Sequence, residues 1–248
     1  MVMLLFYMRI VVAELVVMVL VQRNKFATIA SIMVPMRFTT FFFDLDETLY
    51  PASTGLWMEI RARINIYLRD RLGFSAEEIE TVREKYFREY GTTLRGLQAN
   101  HHVDMDEYLA FVHDVPLAPY LHPSPDLRAA LNSVQARKFI FTNADCAHAS
   151  RVTKALDLEG VFDGCIDVHV ISPHCKPMPE AFVLALKAAG DPQPQNCVLL
   201  DDQGRITRAA RALGMYTVLV GKEDPGFEAD EALVSLVELP SLVKNWRI

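Results

Sequence analysis

The sequence predicts an α/β protein: a parallel-sheet core interrupted after its first strand by an all-helical cap. Three observations predict it. From about residue 125 to residue 220, short apolar runs alternate with helical stretches, the rhythm of parallel βαβ units. Residues 52–120 contain helical patterns and no strand-like run, and they separate the first apolar run from the second. Acidic or hydroxyl residues stand at the ends of the apolar runs, where open parallel sheets bind their ligands.

Taken in order, Phe38 to Phe43 reads as a buried strand, with Asp44 and Asp46 at its carboxyl end. Residues two apart in extended chain share a face, so the two carboxylates point the same way. Like charges so placed repel, which argues for a cation to hold or a proton to move. Residues 56–72 then carry Trp57, Ile60, Ile64 and Leu68 on one helical stripe. Ser75, followed by Glu77 and Glu78, starts a helix that runs to about Tyr90. Residues 92–100 and 105–113 read as further helices, with Trp57, Tyr67, Tyr86 and Phe87 as the apolar interior of the cap. The proline-rich segment 116–125 is a connection. Beyond it we expect a helix at 125–134, a strand at 138–142, a helix at 147–156 and a strand at 165–171. A helix at 179–189, a strand at 198–201, a helix at 205–213 and a strand at 216–220 complete the pattern. Asp44, Thr142 and Asp201 fall at strand ends, and Lys176 lies on the loop after 165–171, so their side chains can converge.

Composition narrows the function. An apolar fraction of 51% supplies ample core without the composition of a membrane protein. The net charge of −6 and the lack of a basic run exclude electrostatic binding to a nucleic acid polymer. Cys146, Cys165, Cys175 and Cys197 show no CxxC spacing and read as reduced thiols of a cytoplasmic protein. Residues 1–36 are apolar, but Arg9 and Glu14 leave no run of ~18–20 apolar residues for a spanning helix, so no membrane partner is expected. They lack a basic n-region and a clear cleavage site. Met36 stands immediately before the first core strand, so 1–36 reads as an extension outside the folded core, the alternative being a membrane-associating or targeting segment. The core is then 37–51 with 121–248, and the cap 52–120.

Each motif alone has an ordinary explanation. Asp-x-Asp fits a helix N-cap, Thr142-Asn143 a turn, and Lys176 a solvated lysine. Together and in this order, DLDET (44–48), FTN (141–143), CKP (175–177) and LLDD (199–202) resemble the motifs of the haloacid dehalogenase superfamily. Most members of that superfamily are Mg²⁺-dependent phosphatases. The longer segments DLDETLYP (44–51), REYGTTLRGL (88–97), FVHDVPL (111–117) and CKPMPEAF (175–182) are similar to its pyrimidine 5′-nucleotidase branch, over about residues 37–222. The chain departs from that pattern at Gln203, where serine is usual, and at Ile206, where asparagine is usual; Arg205 is kept.

The resemblance implies a Rossmann-like core under a helical cap. It also implies hydrolysis of a small-molecule phosphate ester, such as UMP or CMP, through an aspartyl-phosphate. On that reading Asp44 is the nucleophile and Asp46 protonates the leaving alkoxide, then deprotonates the attacking water. Lys176 supplies a fixed positive charge, and Thr142 donates to a phosphoryl oxygen. Mg²⁺ is the implied cofactor, with Asp44, the Asp46 carbonyl, Asp201 and Asp202 as its ligands. The cap excludes water and sets substrate choice. Arg95, Thr92 and Thr93 from the cap, with Asn143 and His148 from the core, are the substrate-binding candidates. The alternatives are a phosphatase or phosphomutase acting on another small ester, such as a sugar phosphate or phosphoglycolate, and a non-catalytic binding scaffold on the same fold.

Overall fold

The computed structural model describes residues 37–222, 226 and 228–246; the extension expected at 1–36 lies outside the described residues. A six-stranded sheet forms the core, with strands β1 (Thr40–Phe43), β2 (Arg137–Phe141), β3 (Gly164–Ile166), β4 (Cys197–Asp201), β5 (Tyr216–Val220) and β6 (Glu231–Leu233). Their order is β3-β2-β1-β4-β5-β6, and every pairing is parallel. The chain therefore winds outward from β1 in one direction, then from β4 in the other. The crevice between β1 and β4 is the point where a doubly wound sheet accepts a ligand.

β1 is central and fully buried, which is why it reads as an unbroken apolar run. Its side chains alternate: Phe41 and Phe43 enter one apolar cluster and Phe42 the other. Phe43 is level with Ile140 on β2 and Leu200 on β4. One step further along each strand sets Asp44 between Phe141 and Asp201.

Between β1 and β2 the chain forms the all-helical insertion: α1 (Leu56–Leu72), α2 (Ala76–Tyr90), α3 (Thr93–His101) and α4 (Met105–Val112). The Glu78 carboxylate accepts the Ser75 N–H at 2.8 Å and so caps the start of α2. Tyr67 of α1 meets Tyr108 of α4 edge-to-face at 5.0 Å between ring centroids. α2 and α3 approach closely at Gly96, where a side chain would land on the Tyr86 ring.

The core helices are α5 (Pro125–Asn132), α6 (Cys146–Ala155), α7 (Pro179–Ala188), α8 (Gly204–Ala212) and α9 (Leu239–Lys244). Two features differ from the sequence expectation. The strand expected at 165–171 is only Gly164–Ile166. The Asp167 carboxylate accepts the N–H groups of His169 and Val170, each at 3.1 Å, and turns the chain out of the sheet. In addition, β6 and α9 extend the core beyond β5, and Trp246 packs against Phe38 and Tyr216. All four cysteines are free thiols. No helix of the described residues is long and apolar enough to cross a membrane.

Gly96→Ala should destabilise the cap by about 1–3 kcal/mol through overpacking against Tyr86, more than the ~1 kcal/mol that alanine gains in a helix interior. Denaturant unfolding of the two proteins measures the difference. A Gly96→Ala protein of equal or greater stability would contradict the close approach of α2 and α3.

Candidate active site

Lys176 organises the carboxyl ends of three strands. Its ammonium donates to Asp44 Oδ1 at 2.6 Å, to Asp201 Oδ2 at 2.8 Å and to the Phe141 carbonyl at 2.8 Å. These three residues are level across β1, β4 and β2, so one buried cation bridges the crevice. Lys176 is 1% exposed and Asp201 0%. Burial works against the lysine charge, but Asp201 and Asp44 more than offset it and raise its pKa above the ordinary lysine value. Asn143 holds the lysine loop: it accepts the Lys176 N–H at 2.8 Å and donates to the Lys176 carbonyl at 3.1 Å.

The carboxylates outnumber this cation. Oxygens of Asp44, Asp201 and Asp202 lie within 4.8 Å of one another. Burial, with Asp201 and Asp202 adding to it, pushes Asp44 well above the usual carboxylate range, although Lys176 pulls the other way. Burial and Asp201 push Asp202 up to about 7. Asp202 Oδ1 is buried without a hydrogen-bond partner, an arrangement that costs free energy unless something else satisfies it. The donor set is all hard oxygen, and with all three carboxylates ionised one lysine would leave two negative charges uncompensated. These residues fit a small divalent cation such as Mg²⁺.

Asp46 sits in a different environment. Its Oδ1 accepts from the Tyr50 hydroxyl at 2.5 Å and meets His148 Nε2 at 3.0 Å. Burial alone would raise Asp46, but His148 and Tyr50 outweigh it and hold the group below the usual carboxylate value. The His148 ring stacks on His113 at 4.1 Å, and His113 Nδ1 meets Asp145 Oδ2 at 3.3 Å. Asp145 also accepts the His148 N–H at 2.6 Å and starts α6 there.

The cleft over these groups has a volume of about 360 Å³. Asp44, Asp46, Thr142 and Lys176 line its core side, and Thr92 and Thr93 its cap side. The Thr142 hydroxyl oxygen accepts the Ala144 N–H at 3.0 Å, and that of Thr92 accepts the Arg95 N–H at 3.2 Å. Other expected residues are placed differently. Arg95 does not line the cleft; it donates to the Val168 and His174 carbonyls at 3.0 and 2.8 Å, tying α3 to a core loop. His148 lies behind Asp46 rather than in the cleft. Asn143 reaches the cleft, but both ends of its amide are engaged by Lys176. Trp57 and Phe87, expected in the cap interior, are 38% and 44% exposed and line the cleft, whereas Tyr67 and Tyr86 are buried. A helical stripe cannot separate a cleft-facing aromatic from an interior one, because both lie on the inward side of the helix.

Tyr50, His113 and Arg205 join the site without having been singled out as candidates. Tyr50 stands four residues after Asp46, inside the first motif, and that spacing was a usable signal. His113 becomes visible only through its stacking on His148. Arg205 donates to the Gly91 carbonyl at 3.0 Å and lies 3.6 Å over the Phe87 ring, joining core to cap. At the two departures from the expected motif, the Gln203 side chain accepts from Arg205 at 3.0 Å, and Ile206 is buried in the apolar cluster around Phe182.

Comparison with known proteins agrees with this architecture. The family model for haloacid dehalogenase-like hydrolases matches residues 38–214. Phosphate metabolism protein 8 of Saccharomyces cerevisiae (strain ATCC 204508 / S288c) is 33% identical over 204 residues, covering 77% of this chain and 64% of that protein. The match thus spans a little under two thirds of the relative's length. The protein YfnB from Bacillus subtilis, solved bound to magnesium, superposes with a TM-score of 0.58 at 15% identity, over 84% of this chain and 99% of that one. The L-2-haloacid dehalogenase of Xanthobacter autotrophicus superposes with a TM-score of 0.54 at 15% identity, over 84% and 98%. At those identities the two structures speak for the fold alone. The family match covers most of the sequence, including β1 and β4 on either side of the crevice, and the chain belongs to the haloacid dehalogenase-like hydrolases.

Proposed function

We propose that the protein is a Mg²⁺-dependent phosphatase of small phosphate monoesters, acting in the cytoplasm on the pyrimidine nucleoside 5′-monophosphates UMP and CMP. The observation that carries this reading is the buried lysine between Asp44 and Asp201, beside a third carboxylate with an unpartnered buried oxygen. A hydrolase that attacks phosphorus with a carboxylate must neutralise two repelling anions, and this cluster is built around that problem. The yeast relative's name places it in phosphate metabolism, and the motif resemblance supplies the pyrimidine nucleotide.

Asp44, Asp201, Asp202 and the Asp46 carbonyl would hold Mg²⁺, which neutralises phosphoryl oxygens when bound. The chain's own groups do the rest. An Asp44 oxygen attacks phosphorus, a bond forms between them, and the bond from phosphorus to the ester oxygen breaks. The departing alkoxide takes a proton from Asp46. Water then attacks the aspartyl-phosphate, Asp46 takes a proton from it, the phosphorus–Asp44 bond breaks, and inorganic phosphate leaves. Tyr50 and His148 both engage Asp46 Oδ1, which leaves Oδ2 for the substrate. A phosphate dianion arriving beside Asp46 raises its proton affinity, so protonation accompanies substrate binding. Lys176 keeps its charge throughout, and Thr142 donates to a phosphoryl oxygen.

Phosphate release from UMP, CMP and sugar phosphates, measured with Mg²⁺ and with EDTA, tests the reading. We expect release that needs the metal and favours UMP and CMP. Metal-dependent release favouring a sugar phosphate would keep the chemistry and discard the substrate. Halide release from a haloacid without metal would overturn both.

Two substitutions separate the carboxylates. Asp44→Asn should lower turnover by at least about 10³-fold, as expected for loss of a nucleophile. Asp46→Asn should lower it by ~10²–10⁴-fold and leave a phosphorylated protein visible by intact mass. An unphosphorylated Asp46→Asn protein during turnover of a good leaving group would remove the two-step role from Asp46.

A further inference from the structure

The roof of the cleft carries a cation that the mechanism does not use. Arg83, on α2, lines the cleft, and its side chain is 16% exposed. Its Nε is buried without a hydrogen-bond partner. The guanidinium makes one hydrogen bond among the described residues, 3.4 Å to Glu80 Oε2, with Glu84 and Tyr108 as further electrostatic neighbours. The other Glu80 oxygen is held by Arg61 at 2.5 Å, so one carboxylate is shared by two cations. Burial lowers the Arg83 pKa, with Arg61 adding to the effect. A half-buried guanidinium with five donors and one long bond is under-satisfied.

Its surroundings define what could satisfy it. Trp57 and Phe87 present partly exposed rings to the same cleft, and Ile60, Ile64 and Leu109 line it alongside them. Such walls take a flat ring. Glu80 and Glu84 also line the cleft, so the charges of Arg61 and Arg83 are balanced and a second anionic group gains nothing there. The partner that fits is a neutral acceptor on a planar ring.

We infer that Arg83 is a specificity-determining residue that donates to a ring carbonyl of the leaving group, which selects nucleosides with a carbonyl-bearing base over adenosine and over plain sugars. This rests on the nucleotidase reading and deepens it. Uracil and cytosine both carry such a carbonyl; adenine has none.

The test compares kcat/KM of the parent and of Arg83→Met, which keeps the apolar stem and removes the donors, for UMP, AMP and phenyl phosphate. Phenyl phosphate has a flat leaving group without an acceptor, so its turnover reports an intact fold and catalytic centre. The parent should favour UMP over AMP, and Arg83→Met should lose roughly 10- to 100-fold on UMP, the worth of a hydrogen bond to a charged group. Phenyl phosphate should change by less than about twofold, because its leaving group offers Arg83 no acceptor and the methionine keeps the apolar stem against the cleft wall. An unchanged UMP value, or an equal fall on UMP and phenyl phosphate, would overturn the inference while leaving the nucleotidase reading in place. A parent that hydrolyses phenyl phosphate and no nucleotide would overturn both.

Discussion

One buried ammonium holds the centre of this protein together. Lys176 reaches the ends of β1, β2 and β4 at once, through Asp44, the Phe141 carbonyl and Asp201. A lysine with 1% exposure is tolerable only if its charge is fully paired and all three of its donors are used, and both conditions are met. Removing it would leave two buried carboxylates facing each other, a defect of the kind that costs roughly 3–5 kcal/mol. The sheet order makes this possible. Because the winding reverses between β1 and β4, the connections leave these two strands in opposite directions, and the lysine loop after β3 can fold back into the crevice between their ends.

The electrostatics then divide the acidic residues into two kinds. Burial and mutual repulsion push Asp44 and Asp202 toward the neutral form, and a divalent cation would relieve that pressure on both. Asp46, two residues from Asp44, is held low by His148 and Tyr50. Similar groups driven apart by their environments are the usual means by which one site separates acid, base and ligand roles. The supporting layer is extensive: His113 stacks on His148, Asp145 orients His113, and Asn143 fixes the Lys176 loop. A reacting constellation needs such a layer to hold its geometry.

Much of this was legible in the sequence because it lies at strand ends. Once Phe38–Phe43 is read as a strand, Asp44 has one place to be, and the same holds for Thr142 and Asp201. The helical insertion was legible from its periodicity and from the Ser75 start signal. What escaped were partnerships between residues far apart in the chain. His148 meets Asp46 across 102 positions, and Arg95 meets the His174 carbonyl across 79. Nothing local to Arg95 or His148 indicates that the first would be spent on a core loop and the second on orienting a carboxylate. The shortened β3 has a similar cause, because Asp167 caps a turn with its own side chain inside an otherwise strand-like run. β6 and α9 were too short, at 3 and 6 residues, to leave a periodic signal.

The most direct test of the central claim is where a divalent cation binds. Crystals soaked in Mn²⁺, with anomalous diffraction recorded at its absorption edge, should show one strong peak among the Asp44, Asp201 and Asp202 carboxylates, with Lys176 still bonded to Asp44. A peak elsewhere, or none at a concentration that supports turnover, would contradict the account of why three carboxylates gather beside one buried lysine.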